Sequence, residues 1–127
     1  MSLRSPLGRA RGLGSAREGV AHYWQQRLTA VALVPLVVWF VISLIGLAGA
    51  DYAHFRAWIG RPGNTALLLV LVACAFHHAQ LGVQVVIEDY VHRAGCKFAS
   101  IIALKLFAAL LAVFSVAAVF RAAFVGG

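Results

Sequence analysis

Apolar residues gather in three long windows almost free of formal charge, separated by stretches where charges, glycines and aromatic side chains crowd together. Residues 28–48 and 64–87 carry no formal charge, and residues 98–120 carry only Lys105. A helix needs about 20 apolar residues to cross a bilayer, and only a helix or a closed barrel satisfies its own backbone there. Each window therefore predicts one transmembrane helix. Pro35 falls inside the first window, where a modest kink is the structural expectation. Residues 49–63 mix Asp51, Tyr52, His54, Arg56, Trp58, Arg61 and Pro62 between glycines, the pattern of an interfacial loop with room for a short surface helix. Residues 88–97 read as a second polar loop, and residues 1–27, with Pro6 and several glycines, as an extended arm.

Composition agrees with this division. Of 127 residues, 62% are hydrophobic and 12% charged, against roughly 25% charged in soluble domains. The chain is expected to be an all-α membrane protein with a 28–127 anchor of three spans behind the 1–27 arm. The net charge of +7 does not indicate nucleic acid, because the basic residues flank apolar windows instead of forming a separate module. Five of them, Arg4, Arg9, Arg11, Arg17 and Arg27, lie in the arm. The positive-inside tendency puts that arm and the second loop on the cytoplasmic side. Though Arg-rich and acid-poor like a transit peptide, the arm lacks the apolar core and cleavage site of a secretory signal. Cys74 and Cys96 form no CxxC and show no metal-ligand spacing.

Candidate chemistry concentrates in residues 75–93, AFHHAQLGVQVVIEDYVHR. An imidazole in hydrocarbon is costly and usually meets a partner, a cavity or a cofactor. His78 and Gly82 share a helical face, and a residue without a side chain lets a flat ring approach the backbone. A small-residue packing contact explains the same pair equally well. Tyr90 would stand roughly 18 Å from His78 along the axis, near the rim. Taken alone, Tyr90 reads as an interface anchor, Arg27 as a topology charge and Asp89 as a helix-end carboxylate. Lys105 has a stem long enough to snorkel toward the headgroups near Lys97.

The order H-x3-G then D-Y, here His78, Gly82, Asp89 and Tyr90, together with G-S-A-x-x-G-V-x-H-Y-W-x-Q-R-L-T-A at residues 14–30, resembles the small hydrophobic membrane anchor of succinate dehydrogenase, the D subunit of respiratory complex II. With the three spans the likeness covers most of the chain. It implies that His78 is an axial ligand of haem b, which is shared with a histidine of a larger cytochrome b anchor subunit, and that the arm is retained. Arg27 and His22 would lie by the haem propionates. Tyr90 would donate a hydrogen bond to a ubiquinone carbonyl, with Asp89 beside it. The remaining partners implied are an iron-sulfur subunit and a flavoprotein subunit, and the location a bacterial inner membrane in preference to a mitochondrial one.

The chain would thus be part of an enzyme and not one alone, consistent with its lack of a dinucleotide glycine fingerprint and of a cysteine array. Two other readings stand beside this one. The cytochrome b anchor of a fumarate reductase shares the architecture. A small transporter or channel subunit would line a pathway with its polar second helix.

Overall fold

The structure, a computed structural model, describes residues 6–7 and 16–125, with side chains in the first helix described from residue 19 onward. Among the described residues four helices of eight residues or more follow in order: α1 at Ala16–Leu47, α2 at Tyr52–Ile59, α3 at Pro62–Tyr90 and α4 at Ala94–Phe124. Among the described residues, α1, α3 and α4 are long and apolar enough to cross a membrane. The expected spans are all present, and each helix outruns its apolar window. α1 begins at Ala16, so residues 16–27 are helical and the extended-arm expectation fails there. The breakers that motivated it, Pro6, Gly8, Gly12 and Gly14, all precede Ala16, and only Gly19 lies between there and Arg27. The rest of the arm is outside the described residues apart from residues 6–7.

Local chemistry sets the helix boundaries. α1 runs through Pro35 and stops at Gly49, whose φ of +78° is a left-handed conformation that glycine adopts without a steric penalty. Asp51 then caps α2, its carboxylate accepting from the His54 amide at 2.8 Å. Pro62 opens α3, where the missing amide hydrogen costs nothing because a first-turn donor has no helical acceptor. Residues 91–93 alone join α3 to α4, so Asp89 and Tyr90 end a helix instead of beginning the loop expected over 88–97.

α3 is the central element, packing against α1 on one side and α4 on the other, while short α2 lies against α3 and α4. The few buried side chains follow that plan: Leu36 on α1, Ile59 on α2, and Thr65, Leu68 and Leu81 on α3, with none on α4. Outward valines, leucines and phenylalanines dominate the remaining surface, as expected of a chain whose neighbours are lipid or other helices.

At the end where α2 lies, polar groups are paired within the chain. Thr65, 5% exposed, donates its hydroxyl to Ile59 O at 2.6 Å, with Arg61 O at 3.2 Å. Asn64 Nδ2 donates to Trp58 O at 2.8 Å, and Arg56 Nη1 donates to Val125 O at 2.8 Å, binding α2 to the end of α4. Trp58 stacks on Trp39 of α1 with centroids 5.9 Å apart. The short surface helix is thereby clasped to all three spans.

Candidate functional site

Near the other end, α1 and α3 diverge around an open groove of about 440 Å³. Gly19, His22, Tyr23, Gln26, Arg27 and Ala30 line it from α1, and His78 and Val85 from α3. Positions three or four apart fall on one helical face, so the sequence presents these residues together as soon as both helices form. Because α1 and α3 run antiparallel, the groove leads from His78 toward the start of α1 and the end of α3.

The two adjacent imidazoles part company here. His78 is half-buried, and its Nδ1 lies 3.1 Å from Thr29 Oγ1 on α1. His77 is exposed and turns toward α4, where it lines a separate groove with Phe76, Gln80 and Lys105. A third groove, lined by His22, Gln25, His77, Gln80, Gln84 and Lys105 among others, joins α1, α3 and α4. Lys105 therefore stands beside the polar stripe of α3. That stripe is itself linked: Gln80 Nε2 donates to Gln84 Oε1 at 3.1 Å, and Gln84 Nε2 donates to Glu88 Oε1 at 2.9 Å.

The first groove holds polar atoms without partners. His22 Nε2 and Gln26 Oε1 are buried and have no hydrogen-bond partner among the described residues. Leaving such a group unsatisfied costs about 1–3 kcal/mol, so each is a place to expect a partner from beyond the described residues. Arg27 at the same rim carries its guanidinium 5.2 Å from the Tyr23 ring centroid, a cation–π contact, and its planar fork of donors suits an anion. A Cβ added at Gly82 would meet Gln26 Nε2 at 3.7 Å, an ordinary contact. Packing within this chain therefore does not require glycine at that position.

The groove thus brings together three of the five site residues expected from sequence, His78, His22 and Arg27. It does not include Asp89 and Tyr90, which stand in the last turn of α3, Tyr90 78% exposed. Sequence reasoning overlooked Gln26 and Thr29. Both lie inside the 14–30 motif, and their positions relative to His22 and Arg27 on the α1 face were the available signal. Among the described residues no three His, Cys, Asp or Glu side chains cluster as metal ligands would. A haem asks for no such cluster, since its porphyrin supplies four nitrogens and the protein only the axial positions.

Residues 1–113 match the family of succinate dehydrogenase/fumarate reductase transmembrane subunits. The chain belongs to this family. It is 37% identical over 117 residues to the succinate dehydrogenase hydrophobic membrane anchor subunit of Rickettsia bellii, covering 92% of this chain and 94% of that one. The subunit of the same name from Paracoccus denitrificans is 34% identical over 98 residues, 77% of this chain and 75% of its own. The Rickettsia conorii subunit is 31% identical over 118 residues, 92% and 94% of the two chains. No solved structure matches the chain. Membership in a family of enzyme-complex anchors sets aside the transporter or channel reading, and the polar stripe of α3 becomes a feature of a membrane anchor.

Proposed function

We propose that this chain is the small membrane anchor of a succinate:ubiquinone oxidoreductase, that it helps hold haem b, and that it completes the pocket where ubiquinone is reduced. The observation that carries this reading is the α1–α3 groove: a half-buried imidazole, two unpaired buried polar atoms and a rim arginine on facing helices. Those residues fit the group. His78 would supply a nitrogen donor, Arg27 a guanidinium suited to a propionate, and His22 and Gln26 polar atoms that lack partners among the described residues. Gly82 faces the Gln26 side chain, and without a side chain of its own it would let a flat ring approach the backbone were Gln26 to turn aside. When bound, haem b supplies a one-electron redox centre. A histidine of the larger cytochrome b anchor subunit would help hold the haem from the other side of the shared site.

Tyr90 and Asp89 serve the other substrate. A phenol donates a hydrogen bond to a quinone carbonyl without adding charge. Tyr90 stands exposed at the end of α3, free to do so toward a pocket shared with neighbouring subunits. The adjacent carboxylate of Asp89 is suited to orienting basic groups or passing protons as the quinone takes up two electrons and two protons. Iron-sulfur and flavoprotein subunits complete the path from succinate. The arginine-rich arm orients the chain in a bacterial inner membrane with its N-terminus, and so Tyr90, on the cytoplasmic side.

Purifying the complex through this chain tests the assignment. Expected are co-purifying flavoprotein, iron-sulfur and larger anchor subunits, reduced-minus-oxidised bands of a six-coordinate b haem, and labelling of a cysteine placed at position 90 from the cytoplasmic face. An assembly without those subunits or bands, or labelling from outside, overturns it.

A further inference from the structure

The Thr29 hydroxyl has one proton and three neighbours: Gln25 O at 2.8 Å, Gln26 O at 3.0 Å and His78 Nδ1 at 3.1 Å. The two carbonyl oxygens can only accept. If the proton pointed at His78, the hydroxyl oxygen would face both carbonyls with lone pair against lone pair. Directed at the carbonyls, the proton leaves the hydroxyl oxygen to meet His78 as an acceptor. Nδ1 then carries the imidazole hydrogen, and a neutral imidazole with Nδ1–H keeps its free lone pair on Nε2.

We propose that Thr29 is a positioning residue for metal ligation: it holds His78 in the Nδ1–H tautomer, leaves Nε2 as the iron-binding atom, and makes that atom a stronger electron donor to the metal by accepting from the far side of the ring. This rests on the reading of His78 as a haem ligand. The backbone back-bond to Gln25 and Gln26 is what makes the device work, because it consumes the hydroxyl proton and turns a two-way group into a one-way acceptor. The exposed His77, directed toward α4, lies away from this acceptor. The same contact stiffens the ring, since Thr29 is β-branched and its rotamer is tied to its own helix. A group that accepts from the remote nitrogen of a ligating imidazole strengthens the ligand and favours the more oxidised metal.

The test is a potentiometric titration of the haem in the purified complex, with Thr29→Val, Thr29→Ala and Thr29→Ser beside the unaltered protein. Thr29→Val keeps the branched shape and loses the acceptor; Thr29→Ala opens space instead of filling it; Thr29→Ser keeps the hydroxyl. Expected are a higher midpoint potential in both the valine and alanine variants, and a loss of haem affinity of about tenfold, the lower end for groups behind a metal ligand. The serine variant retains the original potential. A shift common to the two apolar variants and absent from serine cannot come from packing, and if the valine variant fails to assemble the alanine and serine pair decides. Equal potentials in every assembled variant, or a serine variant displaced as far as the apolar ones, overturn the proposal while leaving His78 as a ligand. An unaltered complex lacking b-type bands overturns both.

Discussion

The two ends of this helix bundle treat polar side chains in opposite ways. Around α2, Asp51, Asn64, Thr65 and Arg56 each find a partner on the chain itself, and the connection between α1 and α3 is closed by their hydrogen bonds. In the groove between α1 and α3, His22 Nε2 and Gln26 Oε1 are buried without partners among the described residues, and Arg27 lies over the Tyr23 ring. Buried polar groups that the fold needs are satisfied by the fold. The paired end therefore reads as architecture, and the groove, with its two buried atoms unpaired among the described residues, as the place to look for a ligand.

Substitutions at the two ends should separate along that line. Thr65→Val removes a buried hydroxyl and leaves Ile59 O short of its donor, and it should destabilise the anchor by about 1–3 kcal/mol. Thermal melting of the purified complex measures this, and the haem spectrum of the assembled variant should not change. A melting temperature equal to the original would show that the clasp at α2 is ornamental. Tyr90→Phe removes one neutral hydrogen bond, about 0.5–1.5 kcal/mol, or roughly two- to tenfold in rate. The loss should appear in ubiquinone reduction and be absent with an artificial acceptor; equal losses in both assays would make Tyr90 an assembly contact.

Smaller effects sharpen the contrast. Asp51→Ala deletes the α2 cap and should cost about 1 kcal/mol in melting experiments, whereas Asp51→Asn should cost almost nothing because asparagine caps as well. Gly82→Ala is the subtlest. Its new methyl meets only Gln26 Nε2 at ordinary distance, so the stability of the haem-free anchor should stay level or rise by about 0.5–1 kcal/mol, the helix preference for alanine over glycine. In the proposed reading a flat ring approaches the backbone at that position, so haem occupancy should fall. Unchanged occupancy would return Gly82 to the role of a packing residue.

Much of the architecture was legible in the sequence because lipid imposes a simple code: an uncharged window of the right length predicts a helix, and all three windows delivered one. The ends of those helices were not legible. Beyond the hydrocarbon, local propensity and capping decide, and there Ala16 and Tyr90 extend helices into stretches whose glycines and proline, in the first case, and polar residues, in the second, had suggested an arm and a loop. The residues that build the groove divide in the same way. His78 was visible as a costly group deep in an apolar window, and His22 and Arg27 through the resemblance carried by the 14–30 motif. Thr29 was not, since a threonine in such a helix ordinarily bonds to its own backbone, as this one does; its second contact, to His78 on α3, exists only once the helices have packed.

His77 and His78 offer the most direct test, because they are chemically identical neighbours that the fold sends to different grooves. The measurement is the reduced-minus-oxidised spectrum and haem content of complexes carrying His77→Ala or His78→Ala. Loss of the b-type bands with His78→Ala, and their retention with His77→Ala, is the predicted result. Bands that survive His78→Ala at full intensity, or that vanish only with His77→Ala, would contradict the assignment of the α1–α3 groove.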